Sequence, residues 1–228
     1  MFLKTFLRIA IWILIFNPVL FAGSILNPGF EFTDPGTEFD TPTDWTVENY
    51  AAAVDTFIPS EYNGSKDAWK IDLDTGLSPY QGQKLALLSN GSSDTTYGKM
   101  YQQIYVEAGD KITGAYFFGV CDYSTWDDYA YIKLIALPES GLSDVEIVAV
   151  SLIDVGNYSS TEGWVEFESI VFDESNAGRY ILEIAVYDQA DSILESYFAV
   201  DGLAIVPEPA SVILLLSGFC LLRRKKIA

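Results

Sequence analysis

Apolar and polar residues alternate along much of the chain, in short runs. In the stretch WVEFESIVF at Trp164–Phe172, every second side chain falls on the same face, which puts Ile170 and Val171 on opposite faces. This period of two predicts a half-buried strand. Six more runs rich in Val, Ile, Tyr and Phe also predict strands. They are Lys99–Glu107, Lys111–Val120, Tyr129–Leu137, Glu146–Ile153, Arg179–Tyr187 and Tyr197–Val206.

Turn signals separate these runs, and no segment between them shows convincing helical periodicity. Asn27-Pro-Gly and Asn90-Gly are two of the turn signals, which recur roughly every 8 to 15 residues. Roughly ten strands in about 180 residues, without helices between them, are typical of a β-sandwich of the jelly-roll type. The sequence therefore predicts an all-β fold and one domain at residues 24–206, which is long enough to bury a core.

The first 23 residues have the pattern of a signal peptide. Lys4 and Arg8 precede an apolar run at Ile9–Phe21, and small residues follow at Ala22 to Ser24. This order predicts a signal helix that signal peptidase removes near Ala22 to Ser24. An uncleaved membrane anchor is the alternative, and with either one the domain leaves the cytoplasm.

The last 22 residues, 207–228, are built in three parts. Pro207, Glu208 and Pro209 precede thirteen mostly apolar residues at Ala210–Leu222. The next four residues are basic, namely Arg223, Arg224, Lys225 and Lys226. Thirteen helical residues span about 20 Å, which is shorter than the hydrocarbon core of a bilayer. The basic cluster favours the cytoplasmic side, and its long side chains extend the span, so we predict a short transmembrane helix.

This three-part tail resembles the PEP-CTERM sorting signal of exported bacterial proteins. The resemblance implies that an exosortase, a membrane cysteine protease, recognises and cuts the tail. It also implies a transient membrane anchor, a final location at the outer face of the envelope or in the extracellular matrix, and an association with exported polysaccharide.

Charge and composition exclude several kinds of function. Residues 24–206 contain seven Lys and Arg against thirty-one Asp and Glu, a difference of −24, so nucleic acid is not an expected partner. The chain has no histidine, which removes Ser-His-Asp catalysis and His-ligated zinc. Cys220 lies in the apolar tail, so Cys121 has no disulfide partner within the domain and is expected to be buried.

The two ends of the domain resemble galactose-binding-like and carbohydrate-binding-module jelly rolls. The opening ILNPGFE at Ile25–Glu31 is followed by Trp45, and the chain closes on Ser196–Asp201. In many such domains the matching Glu and Asp bind a structural Ca²⁺ together with backbone carbonyls. The resemblance therefore implies a Ca²⁺ site at Glu31 and Asp201, and the alternative is that both carboxylates are solvated or hydrogen-bonded. Gly202 departs from the family, where many members have Asn.

The loop after Cys121 combines aromatic residues with carboxylates, as sugar-binding sites do. Candidate sugar contacts are Tyr123, Trp126, Asp127 and Asp128. Packing against the end of the sandwich is the alternative for the aromatic residues. A second cation site is the alternative for the aspartates of this loop.

Tyr129 and Tyr131 alternate on the strand that follows the loop. We expect them to pack into the core or against the neighbouring sheet.

The chain contains many carboxylates but no motif that assigns them catalysis. We find no acidic signature of a sandwich glycosidase, no phosphate-binding loop and no paired-cysteine metal motif. We therefore expect a non-catalytic surface or matrix protein that interacts with polysaccharide. A purely structural or adhesive protein is one alternative, and a small carboxylate glycosidase is another.

Overall fold

The computed structural model describes residues 23–34, 40–59, 66, 68–91, 97–189 and 193–207. Residues 1–22 of the predicted signal peptide, Glu208, Pro209, the predicted transmembrane segment at 210–222 and the basic cluster at 223–226 lie outside these ranges. Within the described ranges, no helix has the length and apolar character needed to cross a membrane.

The described part of the chain is all-β, as the sequence predicts. Two strands are of two residues each, and ten strands have four or more residues. The strands are β1 (Thr33–Asp34), β2 (Thr41–Pro42), β3 (Thr46–Asn49), β4 (Ala51–Val54), β5 (Leu85–Ser89), β6 (Tyr97–Val106), β7 (Asp110–Val120), β8 (Tyr129–Ala136), β9 (Val145–Ser151), β10 (Val165–Glu168), β11 (Gly178–Tyr187) and β12 (Ser196–Pro207). One short helix, α1 (Leu152–Val155), follows β9.

The ten longer strands form two five-stranded antiparallel sheets. One sheet has the order β10-β7-β12-β5-β4, and we call it the covered sheet because the segment between β4 and β5 packs on its outer face. The other sheet has the order β3-β6-β11-β8-β9, and we call it the open sheet. β1 and β2 pair separately. The two sheets form a sandwich.

The main core lies between the two sheets. On β11, Tyr180, Leu182, Ile184 and Val186 are completely buried, and they alternate with side chains on the outer face. Facing side chains such as Phe198 of β12 complete this core. The period of two in the sequence thus becomes one buried and one outer face.

A second apolar cluster closes the outer face of the covered sheet. Phe57, Trp69 and Leu77, from the segment between β4 and β5, pack on Phe117 and on the start of β12. The rings of Trp69 and Phe117 lie 5.7 Å apart. Cys121 belongs to the same cluster, and its burial raises the pKa of its thiol to about 12.

Both ends of the described chain lie at one end of the sandwich. The backbone of Gly23 lies so close to the carbonyl of Tyr105 that a Cβ at this glycine would overlap with it. Pro207, the last described residue, pairs with Asp110 beside the β6–β7 turn at Glu107–Gly109. We call this the terminal end. The ten-residue strand β6 carries the chain about 30 Å to the opposite, distal end, where Tyr97 lies.

Strand β10 is shorter than the alternation predicts. It ends at Glu168. Ile170 and Val171 are both exposed, whereas strict alternation would put one of them on the buried face. The backbone N–H of Ser169 donates to the carbonyl of Ile112, but the next such bond comes only from Phe172. Ile170 and Val171 therefore bulge away from β7.

The predicted strand Glu146–Ile153 ends early in α1. The hydroxyl of Ser151 accepts a hydrogen bond from the N–H of Ile153 at 3.3 Å. The carboxylate of Asp154 accepts one from the N–H of Ser151 at 2.8 Å. This capping box starts a helical turn within a run that is otherwise typical of a strand.

Candidate functional site

The loop that follows Cys121 places its four candidate residues very differently. Tyr123 is 40% exposed, and its ring lies 5.8 Å from the ring of Tyr158. Trp126 and Asp127 are partly buried. Asp128 has no exposed surface, so its carboxylate is not accessible to a sugar. The loop thus leaves the two aromatic residues and Asp127 as potential contacts.

Asp128 instead holds three segments together. Its Oδ2 accepts hydrogen bonds from Asn90 Nδ2 at 2.9 Å and from Ser196 Oγ at 2.5 Å. Asn90 Oδ1 in turn accepts from the backbone N–H of Ser196 at 2.7 Å. These bonds link the loop to the end of β5 and the start of β12.

The Asp128 carboxyl lies in an unfavourable place for a negative charge. Among the described residues, no hydrogen-bond donor reaches its Oδ1. Burial, together with the charges of Asp188 and Asp122, raises the pKa of Asp128 from 3.8 to about 7, although its two hydrogen bonds oppose this. Near neutral pH the carboxyl is therefore partly protonated.

Tyr129 and Tyr131 lie on the outer face of the open sheet, and the expectation that they pack inward is wrong. The small and aliphatic residues Ala130, Ile132 and Leu134 take the core side of β8 instead. Strict alternation then directs both tyrosines outward, where each is only partly buried.

Four tyrosines from three neighbouring strands form a stack on this face. Tyr187 of β11 pairs directly with Tyr97 of β6 and with Tyr129 of β8. Its ring centroid lies 5.4 Å from each of theirs, with interplanar angles of 22° and 10°. The ring of Tyr131 lies 5.8 Å from that of Tyr187 at 17°. Such near-parallel, offset rings are a favourable aromatic arrangement.

We call Tyr97, Tyr129, Tyr131 and Tyr187 the tyrosine platform. Ala185 lies in the next row of the sheet, between Lys99 and Tyr131, and it has no exposed surface. The larger outer-face side chains therefore cover the small residue. The result is a continuous layer.

Lys99 borders the platform on one side. Its Nζ lies 3.1 Å from a carboxylate oxygen of Glu48 and 3.7 Å from one of Glu183. The same ammonium lies 5.8 Å from the centre of the Tyr97 ring and 5.4 Å from that of Tyr101. Cation–π contacts and ion pairs together limit the freedom of this side chain.

Lys133 borders the other side in a similar way. Its Nζ lies 3.0 Å from Glu146 and 4.4 Å from the centre of the Tyr131 ring. The hydroxyl of Tyr131 donates a hydrogen bond to Glu183 at 2.7 Å. Burial and this carboxylate raise the pKa of the Tyr131 hydroxyl, which keeps it a proton donor.

The arrangement combines aromatic surface with hydrogen-bonding groups on a rigid sheet. Ring surfaces can contact the apolar faces of sugar rings, while carboxylates, ammonium groups and phenol hydroxyls can bind sugar hydroxyls. The sequence carried a signal for it, since Tyr97, Lys99 and Tyr101 alternate, as do Tyr129, Tyr131 and Lys133. That pattern shows which side chains share a face, but not whether the face is covered.

The structure brings Glu31 and Asp201 together around Gly29. A Cβ built on Gly29 would lie 3.8 Å from Glu31 Oε1 and 3.8 Å from Asp201 Oδ1. Any side chain at Gly82, whose φ is 67°, would overlap with the Glu31 carboxylate. Gly82 therefore leaves room for the Glu31 carboxylate, while a Cβ at Gly29 would make ordinary contacts with both carboxylates.

Backbone N–H groups already bond both carboxylates. The N–H of Gln81 donates to Asp201 Oδ2 at 2.8 Å, and that of Gln83 donates to Glu31 Oε1 at 2.8 Å. Asp201 has no exposed surface, and burial together with the charge of Glu31 raises its pKa. In the described ranges, no group of three or more acidic, histidine or cysteine side chains is arranged to hold a metal ion. A Ca²⁺ here would need backbone carbonyls as further ligands, and the site stays a prediction.

No protein-family model matches the chain, and neither does any curated protein sequence. Among solved structures, the carbohydrate-binding module TmCBM61, in complex with β-1,4-galactotriose, is similar with a TM-score of 0.44 and 15% sequence identity. The similarity covers 81% of this chain and 97% of that module.

Two further similar structures are also carbohydrate-binding modules. The C-terminal family 22 module of Clostridium thermocellum Xyn10B has a TM-score of 0.38 and 11% identity, over 82% of this chain and 98% of that one. A CBM4 module has a TM-score of 0.35 and 15% identity, over 81% and 99%. At these identities the similarity concerns the fold alone. The structural neighbours thus include carbohydrate-binding modules with a β-sandwich fold.

Proposed function

We propose that this chain is an exported, non-catalytic surface or matrix protein that binds polysaccharide through the tyrosine platform. The observation that carries the proposal is the stack of four tyrosines on the outer face of the open sheet. The flanking groups of Lys99, Lys133 and Glu183 supply hydrogen-bond donors and acceptors beside it. Trp126 and Tyr123 of the loop are the second candidate contact surface.

The proposal includes sorting by an exosortase after signal peptidase has acted. Its support is the sequence of the tail, with Pro207-Glu208-Pro209, the apolar segment and the basic cluster. The tail holds the folded domain at the outer face of the membrane until it is transferred. Nucleic acid is not a partner in this proposal, because the domain is strongly acidic.

Replacing Tyr187 by alanine is expected to weaken polysaccharide binding by at least about tenfold, which corresponds to about 1.4 kcal/mol. The reason is that Tyr187 contacts three of its neighbours in the stack, so its loss also loosens their rings. The measurement is a titration of the full chain, in a zwitterionic detergent, with a panel of polysaccharides.

Two control variants make this measurement decisive. Tyr187→Phe keeps the ring and should keep most of the affinity. Trp126→Ala should leave binding unchanged if the platform is the site. Binding that is lost with Trp126→Ala and kept with Tyr187→Ala would assign the sugar to the loop and refute the platform. No binding to any polymer by a folded chain would favour a structural or adhesive role.

Ca²⁺ is expected to raise the melting temperature of the protein, and Glu31→Gln or Asp201→Asn should abolish that increase. Ligand binding stabilises the folded state by about 2.7 kcal/mol at a hundredfold excess over Kd. Thermal melts with Ca²⁺ and with a chelator measure the effect. Asp74→Asn, at an exposed carboxylate elsewhere, is the control and should keep the full increase. An unchanged increase in both the Glu31→Gln and the Asp201→Asn variants would show that Ca²⁺ binds elsewhere.

A further inference from the structure

Several apolar side chains are exposed at the terminal end of the sandwich. Ile170 is 56% exposed, Tyr105 48%, Val171 44% and Val206 36%. They come from three separate parts of the chain, namely the end of β6, the end of β12 and the bulge after β10.

Backbone contacts place all three parts at the same end of the sandwich, on different strands. Val206 lies opposite Lys111 near the start of β7. The N–H of Gly109, in the β6–β7 turn, donates to the carbonyl of Phe172 at 2.8 Å, and the N–H of Phe172 donates to Asp110 at 2.8 Å. The bulge at Ile170 and Val171 is therefore fixed next to the turn, and the start of β7 lies between it and the end of β12.

The sequence leaves little chain between this end and the apolar segment of the tail. Strand β12 ends at Pro207, and the apolar segment begins at Ala210, so only two residues lie between them. Three Cα–Cα steps cover at most about 11 Å. An apolar segment that lies in a bilayer thus keeps the end of β12 within the headgroup region.

We propose that the terminal end of the sandwich is a lipid-contacting face, with the bulge at Ile170 and Val171 and the ring of Tyr105 in the interfacial region of the bilayer. This inference rests on the anchoring role of the tail proposed above. Aromatic rings are favoured at that depth, and exposed aliphatic side chains gain from leaving water. The strongly acidic domain makes apolar contact, rather than attraction to anionic lipids, the source of binding.

The test places a polarity-sensitive fluorophore at position 171. The full chain with Cys220→Ser and Val171→Cys is labelled and reconstituted into vesicles of phosphatidylcholine. Cys121 is completely buried and stays unlabelled. The control is Ile153→Cys in the same background, because Ile153 is 74% exposed and α1 lies at the distal end, where Leu152 bonds to Asp128.

We expect the emission of the probe at position 171 to shift to the blue. We also expect a nitroxide carried on the lipid headgroup to quench most of that fluorescence. The probe at position 153 should show neither change. Vesicle flotation separates the two levels of the hypothesis. A chain that floats while both probes stay in water refutes the lipid-contacting face alone. A chain that does not float refutes the anchoring role and the inference with it.

Discussion

Replacing Trp69 by alanine will lower the free energy of unfolding by about 3 to 5 kcal/mol, the usual cost of removing a buried large aromatic side chain. Trp69 is 6% exposed, and its ring contacts those of Phe57, Phe117 and Tyr197. A Cβ at Gly119 would overlap with the indole, which shows how closely the ring lies on the covered sheet.

The loss includes a hydrogen bond as well as packing. The indole N–H of Trp69 donates to the carbonyl of Val120 at 2.9 Å, and alanine leaves that acceptor without this donor. Urea unfolding followed by circular dichroism measures the change. Trp126→Ala is the matched control, because its side chain is only partly buried in a loop, and its cost should stay below about 1 kcal/mol. Equal losses in the two variants would mean that the second apolar cluster does not hold its segment on the sheet.

Replacing Asp128 by asparagine is expected to remove a large part of the pH dependence of stability between pH 4 and pH 7. Asparagine has the shape of the protonated carboxyl and can still accept from Asn90 and Ser196. At pH 8 the variant should be more stable than the parent chain, by up to about 4 kcal/mol, because each pKa unit corresponds to about 1.4 kcal/mol.

The sign follows from proton binding. The pKa of Asp128 is 3.8 when unfolded and about 7 when folded, so the folded state binds more protons between these values. Stability therefore falls as the pH rises from about 4 to about 7, and it changes no further with this group above that range. Urea unfolding of both chains across this range gives the difference. A variant that is less stable than the parent at pH 8 would show that the structure needs the charged carboxylate, as a bound cation would require.

Strands β6 to β12 could be predicted because each one carries its own pattern, whereas the sequence runs named no strand in the region of β1 to β5, whose strands have two to five residues. Strand β11 shows this most simply, since its alternate residues Tyr180 to Val186 form the middle of the core. Among the predicted strands, the errors lie where a local hydrogen bond overrides the pattern. Ser151 and Asp154 cap a helical turn inside a β-rich run, and the pairing of β10 is interrupted after Ser169. Neither event changes the alternation of apolar and polar residues.

The tyrosine platform could not be predicted in the same way. It depends on the register that places Tyr187 between Tyr97 and Tyr129, which are separated from it by 90 and 58 positions in the sequence. It also depends on the segment around Trp69, which covers one sheet and not the other. The alternation of apolar and polar residues within one strand shows neither the register between strands nor which sheet a distant segment covers. The proximity of Glu31 and Asp201 could be predicted, because the resemblance to jelly-roll domains implies their strand topology, in which the first and last strands are neighbours.

The position of the two ends of the described chain determines what the domain can present to its surroundings. The chain enters at Gly23 and leaves at Pro207 beside the β6–β7 turn, while the row formed by Tyr97, Tyr187 and Tyr129 lies at the other end of the open sheet. With the tail in the membrane, the sandwich acts as a spacer, and this row stands about 30 Å above the lipid. Neighbouring copies would hold their tyrosines at one height. If the platform binds polysaccharide as proposed, one polymer chain could contact several copies parallel to the cell surface, and the separate contacts would add up to a higher total affinity.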